Sequence, residues 1–313
     1  MRCFVTRRVP GDALDRLAAF CEVDVWPGEL PPSPEDLRRA VADVDGLLCT
    51  LTDRIDAALF AAAPRLRFIA TFSVGYDNVD LAAASSRGIG VGNTPDVLTD
   101  ATADLTMALL LALARHVPEA QRDARAARWR TWEPAGWLGL ELAGQRMAVV
   151  GPGRIGRAVA RRAHGFGVDV AMVGRVDDLH AALGEAAIVS LHAPLSPATH
   201  HLIDVTALAA MRPGALLINT ARGGLVDQAA LLEALESGHL GGAGLDVTDP
   251  EPLPADHPLM DRDDVIVLPH IGSATHATRA RMADMAVENL IAGLSGAAVP
   301  WPVRPPGTGA TGT

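Results

Sequence analysis

The stretch 144–156, GQRMAVVGPGRIG, limits the possible folds of this chain more than any other. It predicts an apolar strand at 147–150, a glycine turn at 151–156 and a helix at 157–164. In this order the first glycine allows a tight turn, the second lets a pyrophosphate approach the backbone, and the third lets helix and strand pack closely. The N–H groups that begin the helix favour phosphates. The motif therefore predicts a dinucleotide site that includes Gly151, Gly153, Arg154, Ile155 and Gly156.

The composition indicates a globular protein of about two domains. The chain has 313 residues, of which 49% are hydrophobic and 20% are charged, so it can bury a sizeable core. Its formal net charge of −10 argues against nucleic acid or an anionic membrane as the main partner. No apolar run approaches the roughly 20 residues of a membrane span, and the first residues lack a signal-peptide core. A cytoplasmic location is expected.

Residue types that are rare or missing exclude several kinds of chemistry. Cys3, Cys21 and Cys49 do not have the spacing of metal ligands, so we predict no metal site. Cys3 and Cys49 lie at predicted strands, and we interpret them as buried thiols. The chain has no lysine, which excludes a Schiff base and a phosphate-binding lysine. Tyr76 is its only tyrosine, so a Tyr-Lys catalytic pair is not available.

Strand and helix patterns alternate along the chain and predict two α/β lobes with parallel sheets. We expect a flavodoxin-like substrate domain at 1–96 and 287–313, and a Rossmann cofactor domain at 97–286. Strands are predicted at 2–5, 22–25, 46–49, 68–71 and 89–91 in the first lobe, and at 147–150, 169–173, 187–191, 215–219, 242–245 and 265–268 in the second. Helices are predicted at 12–20, 33–42, 57–62, 101–115 and 275–294.

Three segments outside these elements have their own character. The helix at 101–115 has leucines on more than one face, so it packs either inside one subunit or also against a partner. The loop 129–139 holds three of the five tryptophans, which suits an interface or pocket wall as well as a loop folded over its own domain. The tail after Gly296 is rich in Pro, Gly and Thr and is predicted to be mobile.

The second lobe is shorter than a full dinucleotide fold. Only 176–186 separates the strand at 169–173 from the next strand, and this room holds one short helix at 177–183. A parallel crossover needs about a dozen residues. We therefore predict that the usual third strand and its preceding helix are missing, and that the strand at 169–173 lies at the edge of the sheet.

The residue that ends the second strand of a dinucleotide fold selects the cofactor, because an acid there binds the ribose hydroxyls of NAD. Gly174 stands at this position and Arg175 follows it. Gly174 offers no carboxylate to repel a 2′-phosphate, and a guanidinium can bind one. The sequence thus favours NADP(H), with NAD(H) possible. An Arg175 that simply faces solvent is the other interpretation.

Three polar residues follow strands of the second lobe: Arg222, Glu251 and His270. Ligands of such sheets bind at the carboxyl ends of the strands, so these side chains can converge. Arginine can bind a carboxylate in bidentate fashion, and a histidine beside a carboxylate can donate a proton near neutral pH. Each residue alone could be a surface or capping group. Together they predict a redox site for a small oxo acid.

Ordered segments along nearly the whole chain, up to about residue 296, resemble the D-isomer-specific 2-hydroxyacid dehydrogenases. They are SVGYDNVDL (73–81), NTPDVLTDATADL (93–105), VVGPGRIGRAVARR (149–162), HAPLSPATHHLI (192–203), INTARGGLVDQAAL (218–231), GLDVTDPEPLPADHPL (244–259) and LPHIGSAT (268–275). Within this family the chain is most similar to glyoxylate/hydroxypyruvate reductases. That similarity is carried by LTD (51–53), TWEP (131–134), WLG (137–139), GR (174–175) and HIGSATHATR (270–279).

The resemblance implies the roles of the site residues. NADPH would reduce the carbonyl of glyoxylate or hydroxypyruvate, with His270 as proton donor, Glu251 as its partner and Arg222 as carboxylate ligand. The implied substrate contacts are Leu51, Ser73, the backbone N–H groups of Val74 and Gly75, and Trp137, which would reach into the pocket of a partner subunit. The implied cofactor contacts beyond the glycine turn are Thr102, Thr220, Ala221 and Asp246 at the nicotinamide end, Pro194 and Thr199 near the middle, and Gly174, Arg175 and Gly272. The helix at 101–115 resembles the dimer helix of the family, so a homodimer is expected.

Other functions remain open at this point. Oxidation of another small anion with NAD is one; Glu251 argues against formate, whereas no residue excludes phosphite. A dinucleotide-sensing corepressor is another, although the acidic chain and the Arg222, Glu251 and His270 set argue against it. The shortened segment could also weaken cofactor binding, while Pro152 in the glycine turn occupies a variable position and should be tolerated.

Overall fold

A computed structural model describes residues 1–304 of the protein. The strands are β1 (Arg2–Val5), β2 (Glu22–Val25), β3 (Gly46–Cys49), β4 (Phe68–Thr71), β5 (Gly90–Gly92), β6 (Arg146–Val150), β7 (Asp169–Val173), β8 (Ile188–Leu191), β9 (Leu216–Asn219), β10 (Gly242–Leu245) and β11 (Val265–Val267). The helices are α1 (Ala13–Phe20), α2 (Pro34–Ala40), α3 (Ala57–Ala62), α4 (Leu81–Ser86), α5 (Thr99–Ala114), α6 (Val117–Arg125), α7 (Arg154–Gly165), α8 (Leu179–Glu185), α9 (Val205–Ala210), α10 (Gln228–Glu236) and α11 (His276–Ser295). The chain forms two compact units, one of Met1–Leu98 with the described residues from Ala274 onward, and one of Thr99–Ser273.

The first unit contains a five-stranded parallel sheet with the order β2-β1-β3-β4-β5. Its central strands β3 and β4 are buried along their whole length, as expected for a sheet with both faces covered. Local signals place the helices. Ser33 caps α2 by accepting the N–H of Asp36, and Pro34 stands at the first helical position. Such a cap contributes about 1 kcal/mol.

The last helix, α11, belongs to the first unit over its whole length. Its buried side chains, such as Ala283, Val287 and Leu290, pack with residues of α1 and of β3 and β4. The sequence predicts that the second domain ends at 286, inside this helix. A single rigid helix that packs on one core does not divide there, so the contacts place the boundary just before α11, at residue 274.

The second unit contains a six-stranded parallel sheet with the order β11-β10-β9-β8-β6-β7. The prediction of two parallel-sheet α/β lobes is therefore confirmed. The strand β7 pairs with β6 alone among the described residues, and it leads through α8 directly to β8 on the other side of β6. The third strand of a full dinucleotide fold and its helix are missing, and β7 is an edge strand, as predicted.

The C-terminal tail differs from the prediction of mobility as far as Arg304. Pro302 bridges Gly92 at the free edge of β5, and the N–H of Val303 donates to the carbonyl of Val91 at 2.8 Å. The edge of a sheet offers unpaired backbone groups, and this short segment fills them. The prediction was wrong for residues 297–304 because tertiary pairing outweighs a loop-like composition. The rest of the tail lies outside the described residues.

The cysteines lie in the first unit. Cys3 and Cys49 are fully buried and Cys21 is partly exposed, with its sulfur 3.3 Å from that of Cys3. Burial raises the pKa of the Cys3 and Cys49 thiols well above the ordinary value. Both are neutral packing groups, which agrees with their interpretation as buried thiols. No helix among the described residues is long and apolar enough to span a bilayer.

Candidate functional site

The glycine turn after β6 has the geometry that a dinucleotide site needs. The N–H of Gly151 donates to the carbonyl of Val173 at 2.9 Å, and Gly151 has a φ of 102°, in the left-handed region. A Cβ at Gly156 would lie 2.2 Å from the carbonyl oxygen of Gly151, so only glycine allows α7 to approach the turn. A Cβ at Gly153 would meet nothing within 4 Å, which leaves open space beside the backbone. A pyrophosphate fits this combination of close packing and open backbone.

A side chain of α7 holds the glycine turn in place. Arg157 donates from its Nε to the backbone carbonyl of Pro152 at 2.8 Å, and this bond helps to hold the turn. The residue before α7 is Gly153, which has no side chain to cap the helix. The start of α7 therefore presents its N–H groups and the positive end of its dipole to an anion.

The end of β7 holds a carboxylate that the sequence interpretation did not foresee. The N–H of Gly174 donates to Oδ2 of Asp177 at 2.6 Å. The statement that no carboxylate stands here is correct for position 174 and wrong for the folded site, because the chain turns back within three residues. Arg175 is exposed beside it. A ribose bound at this place would meet one cation and one anion.

The loop after β8 brings together the two residues predicted for the middle of the cofactor. Thr199 donates from its hydroxyl to the carbonyl of Pro194 at 2.7 Å and accepts the N–H of Ser196 at 2.8 Å. These bonds close the loop on itself. They give the segment one defined backbone path beside the glycine turn, where a Cβ at Gly151 would lie 2.6 Å from the N atom of Ala193.

The loop after β9 presents Arg222 through bonds made by Asn219. The buried Asn219 donates to the carbonyl of Arg222 at 2.8 Å and accepts the N–H of Ala221 at 3.0 Å. A Cβ at Gly223 would lie 2.0 Å from the carbonyl carbon of Thr248, so this loop packs directly on the loop that follows β10. The two loops that carry Arg222 and Glu251 are held against each other.

The predicted nicotinamide residues gather around α5. The hydroxyl of Thr106 lies 2.8 Å from the hydroxyl of Thr220 and donates to the carbonyl of Thr102 at 2.8 Å. A Cβ at Gly272 would lie 3.4 Å from the side chain of Thr102 and 3.1 Å from Oδ2 of Asp246. Four predicted cofactor residues therefore lie in one neighbourhood. Thr106 was missed by sequence reasoning; its spacing of four residues from Thr102 on one helix was the available signal.

Glu251 and His270 form a direct pair. Nδ1 of His270 lies 2.6 Å from Oε1 of Glu251, and their side chains are 24% and 31% exposed, so the pair is shielded yet accessible to a small ligand. A carboxylate accepts only, so His270 carries a proton on Nδ1 and its Nε2 is the atom left for a ligand. A hydrogen bond as short as this one is typical of charged partners.

Asp246 fixes the backbone that carries His270. Its carbonyl accepts the N–H of His270 at 3.0 Å, and its carboxylate accepts those of Ile271 at 2.7 Å and Gly272 at 2.8 Å. Three successive N–H groups thus hold His270 at a φ of 52°, in the left-handed region that few histidines adopt. Burial raises the pKa of the Asp246 carboxyl, although the N–H groups of Ile271 and Gly272 oppose the shift.

His192 is a partly buried histidine to which the sequence assigns no role of its own. Its Nε2 lies 2.8 Å from the hydroxyl of Ser190, and its Nδ1 is buried without a partner among the described residues. Burial lowers the pKa of His192 to about 4. The ring is neutral at physiological pH and lies directly after β8, beneath the glycine turn.

The low pKa of His192 predicts acid sensitivity. Protonation of the unfolded state begins near the ordinary value of 6.5, whereas the folded state resists it to about 4. The contribution of the neutral His192 to the free energy of unfolding is therefore fully present above pH 6.5. It decreases as the pH falls toward 4, and roughly 2–3 kcal/mol of it is lost at pH 4.5. Urea unfolding at pH 7 and pH 4.5 measures this part of the free energy of unfolding. It should be lost at pH 4.5 in the wild type and should be absent in His192→Asn. The exposed His164→Asn, as a control, should behave like the wild type; an identical loss in His192→Asn would contradict the assignment.

Residues predicted for the substrate in the first unit lie after β3 and β4. Leu51 lies in a turn held by Asp53, which accepts the N–H of Thr50 at 2.7 Å. Ser73 donates its hydroxyl to the carbonyl of Gly75 at 2.5 Å, so this side chain shapes the loop 73–75. Val74 and Gly75 are partly exposed. Both loops stand at the carboxyl ends of their strands, where ligands of parallel sheets bind.

Trp137 lies in the segment between α6 and β6. It has a φ of 55° and is half exposed, and its ring centroid lies 6.4 Å from that of His116. Trp129, Trp132 and Leu138 are more exposed still. The interpretation of this loop as one folded over its own domain is not supported by such exposure. Several exposed tryptophans within one short loop are typical of an interaction surface.

Comparison with known proteins decides the family. The model for the NAD binding domain of D-isomer specific 2-hydroxyacid dehydrogenases matches residues 107–272, more than half of the chain. The protein belongs to this family. It is also 45% identical to glyoxylate reductase of Korarchaeum cryptofilum, over 98% of each chain.

Solved structures of similar chains agree with the fold. A protein of Thermus thermophilus has a TM-score of 0.93 and 52% identity, over 97% of this chain and 100% of that one. An NADPH-dependent glyoxylate/hydroxypyruvate reductase of Sinorhizobium meliloti, solved with NADP and malonate, has a TM-score of 0.87 and 34% identity, over 96% of each chain. The sequence-based assignment to this family is confirmed, and the dehydrogenase is an oxidoreductase with a nicotinamide dinucleotide cofactor.

Proposed function

We propose that this enzyme reduces a small 2-oxo acid of the glyoxylate or hydroxypyruvate type to the D-2-hydroxy acid. The observation that carries the proposal is the pair of His270 and Glu251, 2.6 Å apart on loops of the unit that also holds the glycine turn. The curated relatives named glyoxylate reductase support the substrate class. Oxidation of phosphite and a corepressor function are not favoured by any feature of the site.

His270 is the proton donor in this proposal. Because Nδ1 is bonded to Glu251, the proton available to the substrate is the one on Nε2 of the imidazolium. Glu251 stabilises the imidazolium through its charge and fixes the ring by its short hydrogen bond. After the proton leaves Nε2, the neutral ring keeps its proton on Nδ1 and still donates a hydrogen bond to Glu251. The backbone bonds to Asp246 keep the ring in place through this change.

Arg222 binds the substrate carboxylate and polarises the carbonyl in the proposed reaction. A guanidinium presents two parallel N–H groups to a carboxylate, which orients a small acid better than a single charge can. Asn219 holds the backbone of Arg222. A reduced nicotinamide, when bound, supplies the hydride. The backbone N–H groups of Val74 and Gly75 complete the carboxylate site in this proposal.

The cofactor preference proposed here is NADP(H) with NAD(H) also accepted. Arg175 supports binding of a 2′-phosphate, and the NADP complex of the Sinorhizobium meliloti relative is consistent with it. Asp177 acts in the other direction, since its carboxylate can bind ribose hydroxyls and repels a phosphate. The two side chains together suit a relaxed preference.

Substitutions at these two positions should shift the preference in opposite directions. Arg175→Ala should lower the NADPH/NADH ratio of kcat/KM by about tenfold, the typical effect of one charged hydrogen bond. Asp177→Asn should raise the ratio, because the amide oxygen can still accept the N–H of Gly174 while the charge is lost. Initial rates with both cofactors measure the ratio, and the exposed Arg161→Ala on α7 serves as the matched control. An unchanged ratio in Arg175→Ala would remove the phosphate-binding role.

A homodimer and a cytoplasmic location complete the proposal. The exposed tryptophans of 129–137 and the family resemblance of α5 support the dimer, in which Trp137 would contribute to the partner's pocket. Sedimentation at micromolar concentration tests this, and a monomer would remove that role of Trp137.

The experiment that tests the function is initial-rate oxidation of NADPH and NADH with glyoxylate, hydroxypyruvate and pyruvate, against a buffer blank. Turnover with the two small oxo acids is the expected result. Tight cofactor binding without turnover on any of these acids would contradict the proposed substrate class and favour a sensor. No cofactor binding would mean that the missing strand and helix abolish the site.

A further inference from the structure

In the loop 73–75 after β4, all three backbone carbonyl groups accept a hydrogen bond. The carbonyl of Ser73 accepts the backbone N–H of Thr94 at 2.9 Å. The carbonyl of Val74 accepts Nδ2 of Asn93 at 2.8 Å, and that of Gly75 accepts the hydroxyl of Ser73 at 2.5 Å. Two consecutive residues, 93 and 94, therefore bind two consecutive peptide groups of this loop.

This arrangement fixes the direction of two N–H groups. In a trans peptide the N–H points opposite to the carbonyl, so the N–H groups of Val74 and Gly75 point away from Asn93 and Thr94. Neither group donates to an acceptor within residues 1–304. Both residues are partly exposed. Adjacent N–H groups that face the same side form a concave site for an anion.

Asn93 is itself anchored by a second asparagine. Asn289 of α11 is fully buried and donates from Nδ2 to the carbonyl of Asn93 at 2.8 Å. Its Oδ1 accepts the N–H of Trp301 at 3.0 Å, and the carbonyl of Trp301 accepts the N–H of Asn93 at 3.2 Å. A Cβ at Gly92 would lie 2.8 Å from the amide of Asn289, so the fit is tight. Buried amides are costly unless bonded, and the side chain of Asn289 is bonded through both its nitrogen and its oxygen.

We propose that Asn93, anchored by Asn289, is a positioning residue that orients the N–H groups of Val74 and Gly75 toward the carboxylate of the 2-oxo acid. The inference rests on the proposed function, in which these two N–H groups bind the substrate. Asn93 touches the loop and not the substrate. Its effect is preorganisation, because a flexible loop would lose freedom each time it bound an anion.

The test is a split between KM and kcat in Asn93→Ala. The carboxylate is bound equally before and during the reaction, so loss of its oriented donors should raise KM for glyoxylate by about 10- to 100-fold and leave kcat nearly unchanged. The dissociation constant of the reduced cofactor should not change. Asn289→Ala should raise KM by a smaller factor, and it gives a second measurement if Asn93→Ala folds poorly.

Arg67→Met is the matched control, since Arg67 also makes one side-chain bond to backbone, to the carbonyl of Leu294 at 2.9 Å, but at the opposite end of β4. Its KM should equal that of the wild type. An unchanged KM in Asn93→Ala would overturn the inference. A lower kcat with the wild-type KM would also overturn it, because that pattern indicates a loss of folded enzyme alone.

Binding of oxamate, a carboxylate that is not reduced, separates this inference from the proposed function. Oxamate is titrated into the enzyme with its reduced cofactor, for the wild type and Asn93→Ala. If the wild type reduces no 2-oxo acid, the proposed function fails, while a weaker oxamate affinity in the variant still supports the positioning role. Equal affinities in the two proteins, or no binding to either, overturn it.

Discussion

Replacement of His270 by asparagine is expected to lower kcat by about a thousandfold, the middle of the range for loss of a general acid. Asparagine suits this site because it tolerates the left-handed backbone that His270 adopts, with its φ of 52°. The variant keeps a polar side chain and loses the proton on Nε2. Steady-state rates with glyoxylate and saturating cofactor measure the effect, and the cofactor affinity should remain that of the wild type.

Two further variants make the His270 result specific. Glu251→Gln keeps the size of the partner and removes its charge, so it should lower kcat by a smaller factor than the loss of His270. The exposed His164→Asn on α7 should leave kcat unchanged. Wild-type turnover in His270→Asn would show that another group protonates the substrate, and the pair of His270 and Glu251 would then be a structural contact.

Alanine substitutions at Gly156, Gly153 and Gly165 should separate packing from cofactor contact. At Gly156 the added Cβ would lie 2.2 Å from the backbone oxygen of Gly151. The backbone of the turn would have to move to relieve this clash. We expect a cost of about 3 kcal/mol, a loss of roughly 6–12 °C in Tm, and a cofactor affinity at least tenfold weaker. Thermal unfolding and cofactor titration measure the two effects.

The other two glycines provide the contrast, because an added Cβ meets nothing within 4 Å at either position. Gly153→Ala should keep the wild-type Tm and bind the cofactor at least about tenfold more weakly, since the methyl group occupies the space where the pyrophosphate approaches. Gly165→Ala, at the far end of α7, should lower neither the Tm nor the cofactor affinity. Wild-type cofactor affinity in Gly153→Ala would remove the turn from the proposed cofactor site.

Local sequence patterns were sufficient for most of the fold. The strand, glycine turn and helix at 144–165 depend on residues that are neighbours in the chain, and so does the cap of α2 by Ser33. The missing third strand followed from a simple length argument: the segment 176–186 has no room for it. The domain boundary and the tail at 297–304 were less accurate, because both depend on which distant surface a segment packs against.

The candidate site divides in the same way. The sequence by itself identified the family and nominated Arg222, Glu251 and His270, because their residue types and their places after strands carry chemical meaning. Only the tertiary structure decided that Asp177 turns back onto Gly174, that Thr106 meets Thr220, and that Asn93 holds the carbonyl of Val74. These hydrogen bonds join loops that the folding of the sheets brings together, and an asparagine or threonine has the same appearance in a sequence whether or not such a partner is near.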